Sequence, residues 1–214
     1  MAIYAKPSAV HDRLTELGLN ESIVVEAARR GFAAWASCTA NHPPLLPGFL
    51  AWGETVRALR EQLIPLGWER SDKGNLSLVL NQTGNLAIAV STGDERTGNI
   101  DEEPCTKSSK GPRTVDAVSM NQLLLFPEIP GFPVSFEGMD QRSTWWLLIH
   151  RDVKASEVRC ELSSPINMSA DGRIDGWAER IILEPIPFDG DFADISEDSN
   201  PQTPEIMVEI RRRL

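Results

Sequence analysis

The chain has 214 residues, is 41% hydrophobic and 24% charged, and carries 31 Asp and Glu against 21 Lys and Arg, for a formal charge of −10. That is the composition of a globular protein rather than a disordered one. At this length about 70% of the extended-chain surface leaves water on folding, so neither disulfides nor a structural metal are needed for stability. Nucleic-acid binding as the main activity is disfavoured: there is no basic stripe apart from Arg211-Arg212-Arg213, and the global charge repels phosphate. Met1 to Lys6 lacks the basic-then-apolar pattern of a secretory signal, and no window approaches the roughly 18 apolar residues of a membrane span. A cytoplasmic protein without a membrane anchor is expected. The cysteines Cys38, Cys105 and Cys160 are odd in number and far apart, which predicts reduced thiols.

In chain order, residues 8–18 and 20–38 read as two amphipathic helices. Ile23, Val24, Ala27, Ala28, Gly31, Ala34, Trp35 and Cys38 recur at three- and four-residue steps, and Asn20 is placed as the cap of the second helix. Pro43-Pro44 forces a turn. A third helix follows from about Gly48 to Ile64, with Phe49, Trp52, Val56, Leu59 and Leu63 at helical spacing and Pro65 to end it. Trp35 and Trp52 are expected in the core. The first 65 residues thus read as all-helical.

Beyond Leu66 the period shortens to two. Leu76, Leu78 and Leu80, then Leu86, Ile88 and Val90, flank Asn81-Gln82-Thr83-Gly84 and predict a hairpin. Trp145 to Val153, a turn at Lys154-Ala155-Ser156, Glu157 to Ser163, a turn at Asp171-Gly172 and Trp177 to Leu183 predict an antiparallel meander. Trp145 and Trp146 must point to opposite faces. Either one of them lies on an outer face or both faces of the sheet are covered.

Two stretches fall outside this pattern. Residues 93–114 are polar and turn-rich, as functional or disordered loops are. Residues 184–205 hold Glu184, Asp189, Asp191, Asp194, Glu197, Asp198 and Glu205 with no Lys or Arg, a charge of −7 that leaves −3 for the other 192 residues. The fold class expected is therefore α+β in a single domain, 1–214. A helical layer (1–65) packs on a mainly antiparallel sheet (66–183, with the long loop), followed by the acidic segment (184–205) and a terminal strand (206–214).

Three places in the chain could carry chemistry. The acidic segment, with Ile186, Phe188, Phe192 and Ile195 interspersed, suits a basic protein partner, and Asp189, Asp191, Asp194, Glu197 and Asp198 are its candidate contacts. Against this stands a solvated connector, onto which Arg211-Arg212-Arg213 could close. The acids lack the spacing of a calcium loop. On the meander, strand alternation puts Glu157, Arg159 and Glu161 on one face, with His150 and Asp152 on the adjoining strand. Such a set could bind a divalent metal and activate water, with Arg159 holding phosphate, as in a phosphodiesterase or nuclease. The competing reading is a row of cross-strand charge pairs. Arg159 stands where a D…(D/E)-x-K nuclease pattern needs Lys, which disfavours the enzyme.

In the 93–114 loop, Gly93, Gly98 and Gly111 with Lys107, Lys110 and Arg113 could face an anion. Neither G-x-x-x-x-G-K-[ST] nor G-x-G-x-x-G occurs, so partner contact or disorder is the preferred reading. His11, His42 and His150 are too dispersed for zinc, and C-x-x-C and H-E-x-x-H are missing. No cofactor or metal is expected. Together these features favour a non-enzymatic, cytoplasmic interaction or regulatory protein, inhibitor- or immunity-like, that offers an acidic surface to a basic protein. The metal-dependent phosphodiesterase is the alternative.

Overall fold

The structure, a computed structural model, describes residues 1–125 and 142–188. Helix α1 (Pro7–Glu16) opens with proline in its first turn, where the missing N–H is no loss, and buries Val10 and Leu14. Helix α2 (Glu21–Ala36) is capped by Asn20, whose side chain accepts a hydrogen bond from the Ser22 N–H at 3.0 Å. It buries Ile23, Val24, Ala27, Ala28, Gly31 and Trp35. Helix α3 (Leu46–Leu63) crosses α2 closely at Gly31, where a Cβ would lie 2.0 Å from Thr55 Oγ1 and 2.8 Å from the Ala51 carbonyl. Pro65 sits in a short 3₁₀ turn, Ile64–Leu66, and Gly67 closes it at φ +87°.

The strands are β1 (Ala2–Tyr4), β2 (Glu69–Ser71), β3 (Leu78–Leu80), β4 (Leu86–Thr92), β5 (Ser143–Asp152), β6 (Glu157–Met168), β7 (Ile174–Ile182) and β8 (Ile186–Pro187). They form one mixed, mostly antiparallel sheet in the order β1-β7-β6-β5-β4-β3-β2, and β8 pairs with the first residues of β6. The fold is α+β, with the expected hairpin (β3–β4) and meander (β5–β6–β7) in place. Pro165 lies in a central strand at a register shift opposite β7, where a proline is tolerated because the ladder is already broken.

Three features depart from the sequence expectation. The N-terminal 65 residues are not wholly helical, because Ala2–Tyr4 pairs parallel with Glu179–Ile181. Strands β4 and β5 are parallel neighbours rather than members of one meander. A fourth helix, α4 (Pro112–Leu125), lies on the chain path between them, as a parallel connection requires. The 93–114 stretch is thus irregular only as far as Gly111.

Both faces of the sheet are buried. On one, Ile88, Trp145, Leu147, Cys160, Leu162 and Ile181 pack against α1, α2 and α3. On the other, Leu78, Ala87, Ala89, Trp146, Leu148, Ile174 and Trp177 meet Val118 of α4. Trp145 and Trp146 are 3% and 1% exposed, so of the two arrangements open to this pair, burial on both sides holds. Among the described residues no helix is long and apolar enough to cross a membrane. The acidic segment from Asp189 onward and the expected strand 206–214 lie outside the described residues.

Candidate functional site

The charged sheet face singled out in the sequence lies beneath the 93–111 loop. His150 stands opposite Arg159 in the β5–β6 register, and Asp152 opposite Glu157. Arg159 donates to Asp152 at 3.1 Å and lies 3.7 Å from Glu157, while Asp152 also accepts from the Ala155 N–H in the turn. Glu161, two residues on, is fully buried and forms an ion pair with Arg180, itself fully buried. Its Oε1 accepts from Arg180 Nε (2.9 Å) and the Ser163 hydroxyl (2.7 Å). Its Oε2 accepts from Arg180 Nη2 (2.6 Å) and the Gly98 N–H (2.9 Å). To ligate a metal, Glu161 would have to give up these donors inside a dry interior, a costly exchange. Among the described residues no group of three or more His, Cys, Asp or Glu is placed to hold a metal ion.

The other side of Arg180 explains the loop. Its guanidinium donates to the carbonyls of Glu102 (2.7 Å) and Asn99 (2.9 Å), and the Trp177 indole donates to the Pro104 carbonyl (2.8 Å). Thr106 exchanges hydrogen bonds with Ile174, through its backbone N–H and through its hydroxyl oxygen. Gly98 runs so close to the sheet that a Cβ would lie 2.9 Å from the Arg159 Cβ, and its φ of +77° suits glycine. Polar anchors rather than an apolar stripe hold this loop, which is why hydrophobic periodicity did not reveal its order. An Arg within the apolar run Trp177 to Leu183 was the available signal, because a buried guanidinium demands a carboxylate.

Of the loop cations considered for anion binding, Lys110 is turned inward. Its Nζ donates to the hydroxyls of Ser91 (2.7 Å) and Ser108 (3.2 Å), and burial pulls its pKa down to about 8. The nearby thiol of Cys105 is raised above the ordinary range by burial, which outweighs the opposing guanidinium of Arg96. Cys160, fully buried and next to Glu161, is pushed up to about 12, mainly by burial. Neither thiol has the depressed pKa of an activated nucleophile.

The outer surface differs in character. Leu45, Phe49 and Trp52 follow one another at four- and three-residue steps at the start of α3 and are 42%, 59% and 40% exposed. This corrects the expectation that Trp52 is core. The stripe 49-52-56-59-63 is continuous in sequence, but only its later part, Val56, Leu59 and Leu63, reaches the core. In the first two turns the buried residues are Pro47 and Ala51 instead, and Phe49 and Trp52 stay exposed. Trp52 also borders a notch with Phe32, Thr55, Val90, Ile149 and Arg151, whose volume of about 10 Å³ suits a single water rather than a substrate. Phe188, the last described residue before Asp189, stacks on Phe32 at 4.1 Å between ring centroids. A larger hollow of about 400 Å³ opens elsewhere, between α1 and the end of α4. Its guanidinium, Arg13, is committed to Glu179 and Glu16.

Compared with known protein families, curated proteins and solved structures, the chain has no match.

Proposed function

We propose that this chain is a non-enzymatic interaction or regulatory module that presents an acidic surface to a basic protein partner. The observation that carries this reading is the internal saturation of Glu161. The carboxylate best shielded for chemistry is consumed by Arg180, Ser163 and Gly98, and Asp152 and Glu157 share Arg159. The sheet-face acids therefore serve the fold. The acids in excess are the seven between Glu184 and Glu205, and Asp189, Asp191, Asp194, Glu197 and Asp198 are the contacts proposed for the partner. A dense local charge of one sign accelerates and selects encounters with the opposite sign, and does so less as salt rises.

The test is affinity capture from host lysate at low and high salt, comparing the wild type with a variant whose seven acids are changed to Asn or Gln. A basic protein retained by the wild type at low salt, released at high salt and missed by the variant is the expected result. Capture of the same proteins by both forms, or salt-independent retention, overturns the reading.

A further inference from the structure

We infer that Lys110 is a site of reversible carbamate formation with dissolved carbon dioxide, the product being held by Ser91 and Ser108. The site is independent of the partner proposed above. It starts from a buried cation that has no counter-ion. The Lys110 Nζ donates to Ser91 Oγ at 2.7 Å and to Ser108 Oγ at 3.2 Å, and among the described residues no carboxylate pairs with it. The elements packed around it supply none. Strand β4 presents Ser91, itself 5% exposed, the loop presents Ser108, and the turn before β7 presents the Gly172 carbonyl, which accepts from the Lys110 N–H at 2.8 Å. Asp171 in that turn is exposed and engaged with Ser169 and Arg173. Helix α4 begins two residues beyond Lys110 with the positive end of its dipole and no acid in its first turn, and its Asp116 faces Arg113 at 3.8 Å.

These surroundings disfavour an ammonium and favour an anion in its place. At pH 7.5 a pKa of about 8 leaves about a quarter of the Lys110 amine neutral, against about one part in a thousand for a lysine at 10.5. Carbamate formation needs that neutral amine. Its lone pair attacks the carbon of CO2, an N–C bond forms, one C–O π bond opens to a carboxylate oxygen, and an amine proton leaves to solvent. A cation thereby becomes an anion. Ser91 spends its own hydrogen only on a long contact to the Thr92 carbonyl (3.4 Å), and Ser108 accepts from Lys110, so both hydroxyls have a hydrogen to offer the new carboxylate. CO2 is small enough to reach a half-buried amine beside the exposed Ser109 without a pocket.

The experiment uses the full-length protein in carbon-13 bicarbonate at pH 7.5. Carbamates are trapped as ethyl esters with triethyloxonium and mapped by peptide mass spectrometry, with Lys6, Lys73, Lys107 and Lys154 as controls within the same molecule. Lys110 should carry at least tenfold more label than any of them. In the untrapped protein, a carbon-13 carbamate resonance should be lost in Lys110→Arg, while any signal from the Met1 amine persists in both forms. Ser91→Ala with Ser108→Ala should lower the occupancy of Lys110 severalfold. Because CO2 combines with the folded amine in preference to the unfolded one, raising CO2 at constant pH and ionic strength should raise the urea midpoint of the wild type and leave that of Lys110→Arg unchanged.

A resonance lost in Lys110→Arg supports the site even where the trapping reagent does not reach it. Carbamate resonances of equal intensity in the wild type and Lys110→Arg, with no excess of label on Lys110 over the other lysines, overturn the inference. Occupancy unchanged by loss of both hydroxyls overturns the part assigned to Ser91 and Ser108.

Discussion

Arg180 on β7 grips Glu161 on the neighbouring strand β6 with two hydrogen bonds, at 2.9 and 2.6 Å, and neither side chain is exposed to solvent. The same guanidinium holds the backbone of the 93–111 loop at Asn99 and Glu102. Removing one partner of a buried pair strands the other, at a cost of about 3–5 kcal/mol. Glu161→Gln and Arg180→Met should each lower stability by that amount in urea unfolding. Glu161→Leu combined with Arg180→Met should cost clearly less than the sum, since no charge is left stranded. It should not return to wild type, because the Gly98 N–H and two loop carbonyls lose their partners. A double variant as unstable as the sum would show that the two side chains are not coupled.

Asn121 does for α4 what Arg180 does for the loop. Fully enclosed, it donates to the carbonyls of Thr144 (2.7 Å) and Pro165 (3.0 Å) and accepts from the Thr144 N–H (2.8 Å), so one side chain ties the helix to β5 and β6. Asn121→Leu should destabilise by about 2–4 kcal/mol, since buried backbone groups would lose their partners. Asn121→Asp should cost more, because the carboxylate cannot donate to either carbonyl. Amide exchange should quicken in α4 and at Thr144 before it does in α2. Uniform quickening across the molecule would remove the local role assigned to Asn121.

These two anchors also mark where the sequence was legible and where it was not. The three N-terminal helices, the β3–β4 hairpin and the β5–β6–β7 meander follow from apolar period and from capping and turn residues, and Asn20 caps α2 as its position implied. Helix α4 is tied down by Asn121 and buries only Val118 and Leu123 among its apolar residues, and the loop before it is held by Arg180 through backbone carbonyls, so neither leaves a strong period in the sequence. The Glu157, Arg159 and Glu161 alternation was read correctly as one face. What it lacked was Arg180, distant in sequence, which turns Glu161 from a candidate ligand into an internal anchor. Trp52 was misplaced for a different reason. Periodicity identifies an apolar side of a helix, but at the start of α3 it is Pro47 and Ala51 that are buried, and Phe49 and Trp52 are not.

Where α2 crosses α3, the side chain of residue 31 has no room. An added methyl at Gly31 would meet Thr55 Oγ1 at 2.0 Å and the Ala51 carbonyl at 2.8 Å. Gly31→Ala should therefore destabilise by about 1–3 kcal/mol despite the better helix propensity of alanine. Thr55→Ala should relieve part of this in the Gly31→Ala background, and only part, because the Ala51 carbonyl belongs to the backbone. Thermal unfolding of the single and double variants reads the difference. Additive losses would place the strain elsewhere than at Thr55.

Lys110 gives the fold a pH dependence whose sign can be worked out. Burial holds its folded-state pKa at about 8, below the unfolded value of 10.5, so between these limits the unfolded chain binds more protons than the folded one. Stability contributed by this group therefore rises as pH increases from about 8 to about 10.5. Below pH 8 the full cost of burying the ammonium is present, on the order of 3 kcal/mol for a shift of this size. Lys110→Met removes the charge and with it this dependence, at the expense of the hydrogen bonds to Ser91 and Ser108. The stability difference between wild type and Lys110→Met should thus move in favour of the wild type as pH is raised from 7 to 10, other titrations cancelling between the two proteins. Urea midpoints measured in parallel at half-unit steps test this. A difference that stays constant with pH would mean that the ammonium is solvated in the native state and that the Ser91 contact does not bury it.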